Sequence, residues 1–210
     1  MASAVIHMAV ASEINRFTKR DNNKYLLGSI APDISKLVGN PRRQSHFCDE
    51  DTDIPDMDKF LSKYKDYLND DFVFGYFVHL YTDYLWEKYF IQDIYNEDNN
   101  MVTKIDGSKV KCYGRMLCQY IYNDYTNLNN LLIDEYEMDL GIFYNEIPEL
   151  DNIIQEIPMD KLQVLIDKMS IIIENATPRK EFIFNIENVN VFIKRCVELT
   201  LAKIEELGLT

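Results

Sequence analysis

The segment running Asp71-Phe-Val-Phe-Gly-Tyr-Phe-Val-His-Leu-Tyr-Thr-Asp-Tyr-Leu-Trp-Glu-Lys-Tyr-Phe-Ile91 constrains the fold more than any other part of the chain. It is apolar or aromatic nearly all round, and a helix without a polar face has to lie at the centre of a protein, covered on every side. Its polar interruptions are informative. His79 and Asp83 are four residues apart, so on a helix both project from one face, about one turn from each other. An aspartate in the middle of an aromatic helix is costly to bury unless it is paired or bound to a cation. Gly75 lies one turn before His79 on that face and leaves room where a larger side chain would crowd the pair.

Such a helix needs others around it, and the sequence supplies them. Only 7 glycines and 6 prolines occur, hairpin signals are scarce, and most apolar spacing follows a helical period. A first helix is predicted from Ala2 to about Lys19, with Val5, Ile6, Ala9, Val10, Ile14 and Phe17 as its apolar positions. Leu27 to Asp33 reads as a loop, with Pro32 turning Ala31 toward extended backbone. Gly39 to Pro55 is a polar stretch that carries His46, and a short helix follows from about Asp56 to Leu68. Residues 96–108, with Asn99-Asn100 and Asp106-Gly107, read as an exposed loop. Long helices are predicted at 109–137, 159–175 and 186–207, the second ended by Thr177-Pro178. No repeat, low-complexity tract or linker divides the chain. The 210 residues therefore read as one all-α, multi-helix domain over 1–210, built on a central buried helix.

The formal net charge of −13 argues against unaided binding to nucleic acid or to an anionic membrane, both of which attract basic surfaces. No apolar run approaches the roughly 20 residues of a membrane span. The opening Met1-Ala-Ser-Ala-Val-Ile-His-Met-Ala-Val is superficially like a signal peptide. It lacks a basic start, however, and His7, Ser12 and Glu13 interrupt it, so it reads as the first helix of a cytoplasmic protein. Cys48, Cys112, Cys118 and Cys196 form no metal-binding spacing and read as reduced thiols used as small apolar residues.

The chain has three histidines, each in a segment with further polar residues that could serve a metal. Asp33, in a turn after Pro32, and His46, between Ser45 and Phe47, can reach the open side of the His79–Asp83 pair from loops. Two aspartates and two histidines suit zinc and would equally hold manganese or iron. His7 could bring a second ion beside the first, with Asp83 bridging. Spacing alone leaves other readings open: His79 and Asp83 as a hydrogen-bonded core couple, His7 as a satisfied core histidine, His46 as a surface residue.

At Leu27-Leu-Gly-Ser-Ile-Ala-Pro-Asp33, Ser45-His-Phe47 and Phe74-Gly-Tyr-Phe-Val-His-Leu-Tyr-Thr-Asp83 the sequence resembles the zinc-dependent phospholipase C family. It looks most like the family's small, unsecreted bacterial branch of hydrolases without an assigned substrate. The order His, Asp, His, His–x–x–x–Asp covers roughly the first 90 residues and is specific as a set. The resemblance implies the helical fold shared with zinc-dependent single-strand nucleases, which hold a cluster of zinc ions and hydrolyse phosphoesters. It assigns Asp33, His46, His79 and Asp83 to one zinc and His7 to a second, with Asp83 bridging. It also makes Asp33 the catalytic carboxylate that orients the attacking water.

The chain departs from the family where a third zinc would sit. Glu87, Lys88 and Tyr89 stand in place of the family's next histidine. Of a later His–x–x–x–Glu or His–x–x–x–Asp pair only the carboxylate remains, at Asp124, with Tyr120 in the histidine's place, and Asp124 is carried as a possible further ligand. One or two ions are expected rather than three. In this reading Arg42 and Arg43 could contact a phosphate or form a solvated pair on the loop. Tyr76, Tyr81, Tyr84 and Trp86 could line a pocket or, at helical spacing, belong to the core. The implied function is a metal-dependent phosphoesterase acting on a small phosphoester or a lipid head group. The alternative is a catalytically degenerate helical module that keeps a metal for structure or for binding a partner.

Overall fold

The computed structural model describes residues 1–49, 52–176 and 180–209. The chain is mostly helical, with a small sheet at one side. In order, the elements are α1 (Ala4–Thr18), α2 (Asn22–Ile30), α3 (Ile34–Val38), α4 (Arg42–Ser45), α5 (Met57–Tyr64), α6 (Asp71–Leu85), α7 (Gln92–Ile94), strands β1 (Tyr95–Asn96), β2 (Met101–Thr103) and β3 (Lys109–Lys111), then α8 (Gly114–Glu135), α9 (Leu162–Glu174) and α10 (Ile186–Glu206).

The central helix forms as its composition requires. Asp70 caps α6 by accepting the Val73 N–H at 2.9 Å, and Phe72 to Leu80 are all buried. Helices α1, α2, α5 and α10 pack around it, and α1 also meets α8. Tyr76 and Trp86 are fully buried, which assigns them to the core. Trp86 stacks on Phe90 with ring centroids 4.0 Å apart and meets Phe192 edge-on.

Helix α2 makes the most extensive of the contacts with α6, and two glycines permit it. A β-carbon at Gly75 would fall 2.1 Å from the Tyr25 carbonyl oxygen, and one at Gly28 would fall 2.1 Å from that of Phe72. The two backbones touch where other helix pairs interpose side chains. Gly75 thus makes room for the backbone of the neighbouring helix, not for the His79–Asp83 pair as its spacing suggested.

Other expectations are corrected. Leu27 to Asp33 is not a loop. Helix α2 runs through Ile30, and Ala31-Pro32-Asp33 continues it as a 3₁₀ turn in which Ala31 is right-handed helical at φ −56°, ψ −37°. Proline is tolerated in a first helical turn, where its missing N–H has no partner to lose. The polar stretch 39–55 contains α4 and a bridge between Cys48 and Pro55. The central helix leaves α geometry after Leu85 and runs as a π-helix over Trp86–Ile91. The loop expected over 96–108 carries β2 and the two turns that join it to β1 and β3 in an antiparallel three-stranded sheet, with Val102 opposite both Tyr95 and Val110. Helix α8 accordingly starts at Gly114, not at 109. Helix α9 ends at Glu174, and the expected terminator Thr177-Pro178 lies outside the described residues.

Candidate metal centre

Four elements bring five polar side chains to one place. His7 comes from α1, His79 and Asp83 from α6, Asp33 from the 3₁₀ turn after α2, and His46 from the residue that ends α4. His7, His46, His79 and Asp83 are fully buried, while the Asp33 side chain keeps 14% of its surface. Among the described residues two sets could each hold a metal ion. They are His7–His79–Asp83 and Asp33–His46–His79, with ligand atoms within 4.8 Å of one another in each set.

The hydrogen bonds behind the imidazoles orient them. His79 Nδ1 lies 2.8 Å from the Ser29 carbonyl oxygen. A carbonyl only accepts, so Nδ1 carries the proton and Nε2 presents a lone pair to the cluster. That carbonyl belongs to the last turn of α2, and the Gly28–Gly75 crossing brings it within reach. His46 Nδ1 meets Ser45 Oγ at 2.9 Å, Ser45 Oγ meets Ser35 Oγ at 2.8 Å, and Ser35 donates to the Pro32 carbonyl at 3.1 Å. A carbonyl backing a ligand histidine, directly or through a hydroxyl, is the usual support of an imidazole that binds a metal through its other nitrogen.

The front of the cluster has spacings that a small cation fits. His46 Nε2 is 3.2 Å from His79 Nε2, 3.6 Å from Asp83 Oδ2 and 3.7 Å from Asp33 Oδ1, and His79 Nε2 is 3.8 Å from Asp83 Oδ2. Tetrahedral bonds of about 2.0–2.1 Å require ligand atoms about 3.3 Å apart, close to these edges. Burial, reinforced by Arg42, pushes the His46 pKa down to about 3. Burial also holds His79 well below its ordinary value. Both imidazoles are therefore neutral, the form that binds metals. Burial, the largest influence, would raise the carboxyl of Asp33, but Lys36 together with the three imidazoles around it outweighs that and keeps the group well below the usual range. Asp83 is lowered in the same way, chiefly by His7.

A metal-free arrangement competes for part of this geometry. With the serine hydroxyls turned the other way, Ser45 donates to His46 Nδ1, and His46 Nε2–H donates to His79 Nε2 at 3.2 Å. His7 distinguishes the two. Its ring stacks on His79 with centroids 3.7 Å apart, and neither of its nitrogens has a hydrogen-bond partner among the described residues. Nε2 lies 3.2 Å from Asp83 Oδ1 but off the line of a hydrogen bond. A buried polar atom left in this way costs about 1–3 kcal/mol, and the metal-free arrangement leaves that cost in place.

Two cations border the cluster. Lys36 Nζ donates to Asp33 Oδ1 at 2.9 Å, and Arg42 Nη2 donates to Asp83 Oδ2 at 3.0 Å. Arg42 is therefore not half of a solvated pair, whereas Arg43 is exposed. The Ala2 N–H donates to Asp83 Oδ1 at 2.9 Å. Glu87, where the resemblance has a histidine, pairs with the Met1 ammonium. Lys36, Ser29 and Ala2 were not anticipated: a backbone carbonyl or amide leaves no mark in a sequence, and a lysine three residues after an aspartate is commonplace.

Asp124, carried as a possible further ligand, is not brought to the cluster and belongs to neither candidate set. Its carboxylate accepts the N–H groups of Phe182, Ile183 and Phe184 at 2.9, 2.7 and 3.2 Å and ties down the segment before α10. With both oxygens occupied by the backbone it has a structural role.

No protein-family model, curated protein or solved structure matches this chain. The likeness to zinc-dependent phospholipase C rests on the residues themselves.

Proposed function

We propose that this chain is a metal-dependent hydrolase of phosphoesters, with His7, Asp33, His46, His79 and Asp83 holding one or two ions, zinc by preference and manganese or iron as substitutes. The observation that carries the metal is His7, a fully buried imidazole with neither nitrogen in a well-aligned hydrogen bond and Nε2 3.2 Å from the buried Asp83 carboxylate. A divalent cation held by these residues would lower the pKa of a water toward neutrality and offset charge developing on the substrate. The chain's own groups divide the remaining work. His46 and His79 are fixed by their Nδ1 contacts and present Nε2 without rearrangement. Asp33 is the cluster carboxylate that solvent reaches, and, held ionised by Lys36, it orients the attacking water by accepting its hydrogen. Lys36 and Arg42 favour an anionic substrate.

A second reading, a module that keeps the site for structure or for a partner, draws on two observations. Arg42 already neutralises Asp83. Two cavities of about 440 and 420 Å³ lie away from the cluster, lined by residues such as Phe90, Ile183 and Phe192 in one and Tyr64, Tyr67 and Asn152 in the other. Assay of aryl phosphate mono- and diesters with added zinc or manganese decides between them. The hydrolase reading expects activity in the wild type that Asp33→Asn abolishes. Equal rates in both proteins would assign the activity to a contaminant or another site.

A further inference from the structure

The charges beside the cluster are balanced before any metal arrives. Asp33 is paired with Lys36 and Asp83 with Arg42, and Glu87 is paired with the Met1 ammonium. A dication added to this set leaves two positive charges without partners, in a chain whose formal net charge is −13. In a site so largely withdrawn from water an uncompensated charge is expensive, so the loaded site calls for an anion of matching charge.

The two cations are also placed to receive one. Arg42 is fixed from behind, donating Nη1 to the Asp53 carbonyl at 2.8 Å and to Cys48 Sγ at 3.4 Å. Its Nη2 holds Asp83, while the neighbouring Nε–H is buried and has no acceptor among the described residues. Nε and Nη2 form the edge of a guanidinium that grips two oxygens side by side, and here that edge holds one. Lys36 is 36% exposed, and the side chains of Asp33 and Arg42 keep 14% each, against none for the three histidines and Asp83. The least buried side chains bordering the cluster are thus those of Lys36, Asp33 and Arg42.

We infer that Lys36 and Arg42 form an oxyanion-binding pair at the mouth of the cluster that selects a dianionic phosphomonoester over a phosphodiester. This rests on the metal-dependent hydrolase reading and narrows its substrate class. A monoester dianion matches both unpartnered charges and presents three terminal oxygens, enough for the ion, the Arg42 Nε–H and Lys36. A diester monoanion matches one charge and presents only two terminal oxygens.

The test is calorimetric titration of inorganic phosphate into the manganese-loaded full chain, with metal content determined on the same samples, for wild type, Lys36→Met and Arg42→Lys. Lys36→Met alters a side chain at the surface and keeps its length, and Arg42→Lys keeps the charge beside Asp83 while removing the fork, so both should fold. Each is expected to weaken phosphate binding by about tenfold or more at unchanged metal content. The wild type is expected to turn over 4-nitrophenyl phosphate faster than bis(4-nitrophenyl) phosphate. Loaded proteins that bind phosphate equally, or a faster diester, would overturn the pair and leave the metal reading standing. Phosphate bound through Lys36 and Arg42 by a chain that takes up no metal would support the pair and overturn the hydrolase reading. Neither metal nor phosphate bound would overturn both.

Discussion

A buried imidazole is well accommodated only when both of its nitrogens are accounted for, and the three histidines here meet that condition differently. His79 and His46 each have a fixed partner at Nδ1, whereas His7 has only a poorly aligned contact from Nε2 to Asp83. The neutrality of His46 and His79 has a consequence for stability. His46 titrates at about 3 in the folded chain and His79 well below its ordinary value, while unfolded histidines take up protons near pH 6.5. As pH falls through that value the unfolded state binds more protons than the folded one, so each histidine lowers stability by about 1.4 kcal/mol per pH unit. Asp33 and Asp83, both held low, add a further loss below about pH 4. The melting temperature of the metal-free protein should be level above about pH 7 and fall on acidification from about 6.5. A rise over that interval would contradict neutral histidines. At this scale the sequence was informative about residue type and spacing, and His7, Asp33, His46, His79 and Asp83 are indeed neighbours. It was silent on partners: Asp124 and Arg42 could be placed only once the backbone amides of 182–184 and the Asp83 carboxylate were seen beside them.

Between helices, the decisive feature is the crossing of α2 and α6. Gly28 and Gly75 let the two backbones touch, and the same approach delivers the Ser29 carbonyl to His79. Alanine is the better helix former by about 1 kcal/mol, yet Gly75→Ala would set a methyl 2.1 Å from the Tyr25 carbonyl oxygen. Overpacking of this kind costs about 1–3 kcal/mol or more. Denaturant unfolding should show a net loss of stability, and a more stable variant would contradict the close crossing. Long elements were legible because periodicity accumulates over many turns: α1, α6 and α10 lie where their apolar spacing puts them. Short ones were not. The strands are two or three residues long, and within β2 only Val102 is buried, too little for alternation to register. The turn at Ala31-Pro32-Asp33 escaped because packing overrode the local preference of a residue before proline.

Across the whole molecule, the fold puts the acid-rich chain around a centre where two carboxylates, two cations and three imidazoles meet. No helix among the described residues is long and apolar enough to cross a membrane. The all-helical class was legible in the sequence because one helix with no polar face demands several others around it, and these are found. The convergence of α1, the turn after α2, α4 and α6 was not, since periodicity gives helices and not their mutual placement. That convergence is what the account depends on, and elemental analysis of metal in the tag-free protein, grown without added zinc, tests it most directly. The account predicts one or two equivalents of zinc, manganese or iron in the wild type, with both metal content and thermal stability reduced in His79→Ala, which removes the imidazole common to both candidate sets and the ring packed on His7. Metal content unchanged by His79→Ala, or no metal in the wild type and no stabilisation when zinc or manganese is added back, would contradict it.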